Sequence, residues 1–372
     1  MNICLLVSSM GAGGAERVAA TLSNGWNTRG YKVTLIATYS NRGDCVYYLD
    51  PNIELIFLSD HVQRSGLSGI YKIRRFMALR EILKTRSPSV IVSFLTNVNV
   101  ATIAVSIALS SPVVVAERSH PPQMKIGWKL ALLRRLTYPF AARVVMLTSL
   151  GLKWLETNVF AAHGIVVSNP IIFPMKSVAP THKPADYFDN NRKVLLAVGR
   201  LAPEKQIHHL IRAFSILAKQ NHDWDLAIVG AGPLLASLQN LVLTLELDER
   251  VKFIGRAGNI GDWYERADIY VLCSQFEGFP NTLAEAMAYG CAVVSYDCDT
   301  GPRDIVTSGV DGILVPPNNE EILANEIARL MADKATRERL AQAAEAVRVR
   351  FGLPRILDNW DAVFADLQVA LT

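Results

Sequence analysis

The sequence predicts an α/β protein built from two doubly wound parallel-sheet domains in tandem. Three observations carry this. Short β-branched runs alternate with helical patterns from the first residue, a proline-rich segment interrupts the rhythm near the middle, and the same rhythm then restarts. The chain has 372 residues, long for one core and comfortable for two.

In order, residues 3–7 read as a buried strand, 15–26 as a helix and 33–37 as a second strand. Residues 90–92, 113–115 and 144–146 are β-branched runs between helical patterns, the near-continuous apolar strands of a sheet covered on both faces. The most apolar stretch, 98–116, holds Asn99, three serines and Pro112, so it reads as a buried helix and strand rather than a membrane span. Residues 168–192 carry Pro170, Pro174, Pro180 and Pro184 in polar filler and read as the linker with its flanks. Strands follow at 194–198, 226–229, 251–254, 269–272, 292–295 and 313–315, with a helix at 207–219. Residues 356–371 form a last amphipathic helix, with Trp360, Val363, Phe364 and Leu367 at helical spacing. The expected domains are 1–172 and 173–353, with the segment 354–372 beyond them. Two such domains imply a cleft faced by the carboxyl ends of their strands.

Half the residues are apolar and 19% are charged, which excludes a disordered chain. Five scattered cysteines without a C-x-x-C pair point to no zinc site and no disulfide framework, but to reduced thiols in the cytoplasm. No signal-peptide pattern precedes the first strand. Through Met175 there are 18 Lys and Arg against 8 Asp and Glu, a charge of +10, leaving −6 for the remainder of a chain whose total is +4. A basic half suits an anionic partner: a membrane, a lipid-linked phosphate or a nucleic acid. Lys125, Lys129, Arg134 and Arg135 interleave with Trp128, Leu132 and Leu136, and Lys72, Arg74, Arg75, Arg80, Lys84 and Arg86 form a second basic helix. Such helices dock on anionic lipid or, alternatively, are ordinary helices with one face in the core. No aromatic-basic platform or motif for nucleic acid accompanies the charge.

Three constellations carry chemistry. Met10-Gly11-Ala12-Gly13-Gly14-Ala15-Glu16-Arg17 joins a strand to a helix, where glycines let backbone amides approach an anionic ligand. The spacing is not G-x-G-x-x-G, and Thr38-Tyr39-Ser40 stands where a dinucleotide fold carries an acid, which weighs against a nicotinamide-dependent oxidoreductase. Gly199-Arg200-Leu201-Ala202-Pro203-Glu204-Lys205 places two cations past a strand end, suited to a departing diphosphate. In Glu277-Gly278-Phe279-Pro280-Asn281-Thr282-Leu283-Ala284-Glu285, two carboxylates able to accept from sugar hydroxyls flank a helix start. Gly278 there permits an unusual backbone, Pro280 fixes the approach, Asn281, Thr282 and Leu283 present amides to a phosphate, and Glu285 falls in the first turn.

These three elements, in this order and over nearly the whole chain, resemble the family 4 glycosyltransferases of the GT-B fold, two Rossmann-like domains facing across a cleft. The nearest likeness is to bacterial enzymes that extend lipid-diphosphate-linked oligosaccharides for O-antigen, exopolysaccharide or N-glycan precursors. The resemblance implies that Arg200 and Lys205 bind the donor diphosphate beside Gly199. It implies that Glu277 contacts the donor sugar, that Glu285 holds the ribose, that Asn281, Thr282 and Leu283 cradle phosphate, and that Gly278, Phe279 and Pro280 belong to the donor-binding loop. Gly13 and Gly14 would approach the donor, and the last helix would return to the N-terminal domain. Family members retain anomeric configuration and use no metal or other cofactor. Two departures stand out. Where many members have an acceptor-side histidine, this chain has Glu117-Arg118-Ser119-His120-Pro121, so either His120 or Arg118 fills that place. Thr300-Gly301-Pro302-Arg303-Asp304-Ile305 replaces the usual Gly-Gly…Glu loop. The expected substrates are a UDP-sugar (N-acetylhexosamine or hexose) and a polyprenyl-diphosphate-linked saccharide at the inner face of the membrane. The nucleobase would meet residues 230–233 and 254–256. A catalytically silent membrane-docking subunit is the non-enzymatic alternative.

Overall fold

The computed structural model describes every residue except Ala12, 39–42, 63–67, Lys125 and 369–372. The chain divides into two compact units, Met1–Pro170 together with Leu353–Thr372, and Ile171–Gly352.

The first unit is a parallel sheet of β1 (Asn2–Val7), β2 (Lys32–Ala37), β3 (Glu54–Phe57), β4 (Val90–Phe94), β5 (Val113–Ala116), β6 (Arg143–Met146) and β7 (Gly164–Val166), in the order β3-β2-β1-β4-β5-β6-β7. Helices α1 (Gly14–Thr28), α2 (Ser68–Arg86), α3 (Thr96–Ser106), α4 (Trp128–Thr137) and α5 (Ser149–Asn158) alternate with the strands. Side chains of one strand serve both faces: Ile3, Leu5 and Val7 enter one apolar cluster, Cys4 and Leu6 another. The strands β3 and β7 were not legible beforehand. They are short edge strands of four and three residues, opened by Glu54 and Gly164 rather than by a β-branched residue.

The second unit repeats the plan with β8 (Lys193–Val198), β9 (Trp224–Val229), β10 (Val251–Gly255), β11 (Ile269–Leu272), β12 (Ala292–Tyr296) and β13 (Ile313–Val315), ordered β10-β9-β8-β11-β12-β13 and parallel throughout. Its helices are α6 (Ile207–Leu217), α7 (Leu235–Thr244), α8 (Ile260–Arg266), α9 (Asn281–Ala288), α10 (Pro302–Ile305), α11 (Glu320–Ala332), α12 (Lys334–Ala344) and α13 (Val347–Arg350). Leu195, Ala197, Phe214, Ile228, Val294 and Ile327 share its main core.

The last helix, α14 (Leu353–Asp366), belongs to the first unit. It starts three residues earlier than its periodicity suggested, and the end of the expected helix lies outside the described residues. Trp360 meets Trp26 of α1 edge-on at 5.6 Å, and both are fully buried. Gly25 permits the approach, since a Cβ there would lie 2.8 Å from Leu357 Cδ1. Arg29 clamps the outer side by pairing with Asp358 at 2.6 Å and with Asp361. Burial of each large side chain in this seam contributes about 1.5–3 kcal/mol. Among the described residues no helix is long and apolar enough to cross a membrane.

Candidate functional site

In the second unit the order of strands reverses direction between β8 and β11, the place where open parallel sheets hold ligands. The loops that leave these two strands carry the predicted residues. After β8, Gly199 to Ala202 lead into a 3-10 turn, Pro203–Lys205, and Gln206 takes a left-handed conformation (φ 47°) before α6. This turn aims Lys205 at the loop after β11: its Nζ donates to Glu277 Oε1 at 2.6 Å. Ser274 Oγ donates to the same oxygen at 2.7 Å, and Thr300, from the loop after β12, donates its hydroxyl to the Glu277 carbonyl. Three loops therefore fix this glutamate, two of them through its carboxylate and one through its backbone. Burial pushes the Cys273 thiol up to about 12, so it is neutral there and donates weakly to the carbonyls of Lys205 and Gln206.

Arg200 is 69% exposed and pairs with Glu204. Burial tends to raise the Glu204 carboxyl, but its own amide and the nearby Arg200 and Lys205 outweigh this and hold it below its ordinary range. The ion pair keeps Arg200 beside the site without committing it, because an exposed pair is weak.

The segment expected to cradle phosphate, 278–285, differs from expectation in three details. The Leu283 amide is not available: it donates to the Pro280 carbonyl at 3.0 Å, a tightening common in first helical turns. The amides of Asn281 and Thr282 open α9, and the Thr282 hydroxyl accepts from Tyr270 at 2.8 Å. Glu285 lies in the second turn, not the first. It is only 5% exposed and accepts from Tyr264 Oη at 3.0 Å. Gly278 is not left-handed; the unusual backbone is at Gly301 (φ 98°), where a Cβ would strike Pro280 Cδ at 2.4 Å. Gly301 thus packs the departing 300–305 loop onto Phe279-Pro280. In that loop Arg303 pairs with Asp297 through two bonds of 2.9 and 2.7 Å.

The loops after β9 and β10 complete this edge. A Cβ on Gly230 (φ 144°) would lie 1.9 Å from the Gly199 carbonyl oxygen, and one on Gly232 would lie 2.3 Å from that of Leu201. Leu201 N donates to Ala231 O, and Gly230 N donates to Gly255 O. The backbones at 199–201, 230–232 and 255 are therefore in direct contact, a surface that only glycine permits.

In the first unit Gly13 precedes α1 as its N-cap and Gly14 is its first residue. Glu16 folds back over Gly13, whose Cβ would meet Glu16 Oε2 at 2.1 Å, and Ser9 Oγ donates to Glu16 Oε1 at 3.0 Å. Tyr47 Oη donates to the Gly13 carbonyl at 3.0 Å. The loop after β5 rests on a buried network that sequence reasoning missed. Glu117 accepts from Thr96 Oγ1 (3.0 and 2.9 Å) and from Tyr138 Oη (2.5 Å), while Asn99 Nδ2 donates to Tyr138 Oη at 3.0 Å. Burial raises the Glu117 carboxyl, opposed by Tyr138, Arg134 and Thr96. His120, buried, precedes the 3-10 turn Pro121–Gln123, and Arg118 lies two residues before it with its guanidinium 3.6 Å above the Phe94 ring.

The basic helices divide. Arg134 does not face outward: it is buried in α4, 3.9 Å from Glu117. Arg75 donates to the Thr38 carbonyl, Arg80 to those of Val105 and Ile107, and Arg86 pairs with Glu54. Lys72, Arg74, Lys84, Lys129 and Arg135 are exposed; Lys125, Tyr39 and Ser40 lie outside the described residues. The outer face of α4 and the turn after it is apolar, with Trp128 72%, Leu136 58% and Phe140 76% exposed, joined by Leu132. Among the described residues no group of three or more His, Cys, Asp or Glu side chains is arranged to hold a metal ion, and all five cysteines are free.

Two family descriptions match the chain: a glycosyl transferase 4-like domain over residues 13–170 and glycosyl transferases group 1 over residues 179–347. Among curated relatives, a Campylobacter jejuni α-1,4-N-acetyl-D-galactosaminyltransferase, named for an undecaprenol-diphosphate-linked acceptor, is 27% identical over 380 residues, covering 100% of both chains. An exopolysaccharide phosphotransferase of Streptomyces coelicolor is 33% identical over 262 residues, which take in 70% of this chain but only 27% of that protein. Among solved structures, Anabaena HepE in complex with UDP superposes with a TM-score of 0.82 at 20% identity, covering 98% of this chain and 100% of that one. At that identity the likeness speaks for the fold, GT-B.

Proposed function

The chain belongs to the GT-B glycosyltransferases with a 4-like domain and a group 1 domain, and from that premise we propose that it moves a hexose or N-acetylhexosamine from a UDP-sugar to a polyprenyl-diphosphate-linked saccharide, with retention of configuration and without a metal. The observation that carries the reading is the Lys205–Glu277 ion pair across the strand-order reversal, beside the start of α9. It sets a cation for the donor diphosphate next to a carboxylate for the sugar hydroxyls. The acceptor named for the Campylobacter relative supports a lipid-diphosphate-linked acceptor, and the UDP of the Anabaena structure supports the donor nucleotide.

In this mechanism the bond between the anomeric carbon and the β-phosphate oxygen breaks as the acceptor hydroxyl oxygen attacks the same face. The leaving phosphate oxygen takes the hydroxyl proton. Arg200, Lys205 and the opening amides of α9 stabilise the charge that develops on the diphosphate. Glu277 orients the sugar, and Glu285, held by Tyr264, accepts from the ribose. The protein works at an anionic membrane surface from the cytoplasmic side, resting on the apolar face of Trp128, Leu132, Leu136 and Phe140 with Lys129, Arg135 and the outward cations of α2 around it.

The test is a thermal-shift screen against UDP, GDP, ADP, dTDP, CMP and NAD, with and without EDTA, followed by donor hydrolysis and transfer with the matching sugar nucleotides. Stabilisation by UDP alone, unchanged by EDTA, is expected. Stabilisation by NAD and by no nucleoside diphosphate would overturn the reading in favour of an oxidoreductase.

A further inference from the structure

The first unit contains a cation most of whose hydrogen-bonding capacity is unused among the described residues. Arg118 follows β5 directly. Its guanidinium stacks on Phe94, the last residue of β4, at 3.6 Å, and its Nη1 donates to Asn169 Oδ1 at 2.9 Å. The ring fixes the plane and the amide fixes one corner. The opposite edge, Nε and Nη2, is shielded from solvent and has no hydrogen-bond partner among the described residues, although the residue as a whole is only half-buried. These two N–H groups point the same way, which is the fork that grips an oxyanion with two parallel bonds. The neighbouring carboxylate does not fill the role, since Glu117 is held by Thr96 and Tyr138. Burial alone pushes the guanidinium down to about 9, with no acidic side chain to bring it back up.

A second observation falls at the same place. Leu95, between Phe94 and α3, has φ 77° and ψ 138°, a conformation that side-chain-bearing residues avoid. Its amide donates to Ala116 O at 3.1 Å, tying the ends of β4 and β5 together. Strain beside a cation whose Nε and Nη2 are shielded and unpartnered among the described residues is the pattern of a site held ready for a ligand rather than of a relaxed core. The strand order of this sheet reverses between β1 and β4, so Phe94, Leu95 and Arg118 sit at its ligand-binding edge.

We propose that Arg118, oriented by Phe94 and Asn169, is a preformed bidentate site for a phosphate oxyanion of one of the two substrates. It rests on the proposed function in that these substrates are the UDP-sugar and the prenyl-diphosphate-linked saccharide, either of which offers that oxyanion. Lysine cannot replace it, because an ammonium presents no fork.

The full-length protein, wild type and with R118Q or R118K, is titrated calorimetrically with UDP, with uridine, and with farnesyl diphosphate in detergent. Arg118→Gln is expected to weaken one diphosphate ligand at least about tenfold while uridine binding stays within about twofold. Loss confined to UDP assigns the oxyanion to the donor, and loss confined to farnesyl diphosphate assigns it to the acceptor. Wild-type affinity for both in R118Q overturns the proposal, as does an equal loss for uridine, which would mark a structural role. Should R118Q fail to fold, R118K decides: it keeps the charge and loses the fork, so wild-type affinity for both diphosphates again overturns the site. A wild-type protein that binds farnesyl diphosphate through Arg118 but no UDP sinks the donor assignment and leaves this site standing. Binding of neither diphosphate sinks both.

Discussion

Glu277 is predicted to move donor binding and turnover in opposite directions. In the ligand-free site Lys205 Nζ is 2.6 Å from Glu277 Oε1, with the side chains 23% and 11% exposed. Unit charges about 4 Å apart attract by about 4 kcal/mol at an effective dielectric constant of about 20, and desolvation with residual solvent contact reduces the net worth to about 1–2 kcal/mol. A diphosphate must compete with this carboxylate for Lys205. Glu277→Gln removes the competitor, so UDP should bind about three- to tenfold more tightly, about 1 kcal/mol. The same change replaces a charged acceptor for the donor sugar with a neutral one, and turnover of the UDP-sugar should fall by about 10². Lys205→Ala should do the reverse for UDP, weakening it by about 10–100-fold, and lower kcat by about 10²–10³. Calorimetric titration with UDP and initial rates with the UDP-sugar read both effects. If E277Q weakened UDP binding, or if neither variant altered it, the pair would not be the diphosphate and sugar site.

Three further outcomes follow from the packing and charges. Trp128→Ser combined with Phe140→Ser should cut partitioning onto phosphatidylglycerol vesicles by about tenfold or more with the melting temperature nearly unchanged, because both side chains are exposed; undiminished vesicle co-sedimentation would remove this face from the docking surface. Trp360→Ala should cost about 3–5 kcal/mol in urea unfolding, since it empties the seam between α14 and α1; a cost below about 1 kcal/mol would mean that α14 is not integral to the first unit. Burial, His208 and Arg212 lower the His209 pKa against the opposing Glu320, and its ring also meets the Tyr296 hydroxyl. The folded protein therefore favours neutral His209. Its contribution is present above the unfolded pKa, about 6.5, and is lost progressively as pH falls from there through the lower folded pKa. The drop in melting temperature between pH 7.5 and 5.5 should be smaller in His209→Gln, and an unchanged drop would assign the acid sensitivity elsewhere.

The parts of this protein that were legible in its sequence are those set by local pattern. Buried parallel strands announce themselves as β-branched runs, and the loop-to-helix junction at Glu277 to Glu285 fixes two carboxylates by spacing alone. What escaped depends on partners far along the chain. Gly278 and Gly301 are equivalent in a sequence, yet of the two only Gly301 has a positive φ, and a Cβ there would also strike Pro280. Glu285 read as a first-turn carboxylate for the ribose, and its place in the second turn, buried under Tyr264 twenty-one residues earlier, is not visible from spacing.

Charge shows the same limit most clearly. Counting cations gave a basic first half, but Arg75, Arg80, Arg86 and Arg134 are engaged with carbonyls or carboxylates of their own unit, and Arg118 is turned onto an aromatic ring. The cations that remain outward on α2 and α4 are fewer, and they accompany Trp128, Leu132 and Leu136, spaced four residues apart and all exposed. An ordinary core-facing helix would bury that row. Here α4 instead buries Arg134 against Glu117 and turns its large apolar side chains to solvent. That inversion is what the proposed membrane docking rests on, and it becomes visible only when the burial of each residue is known.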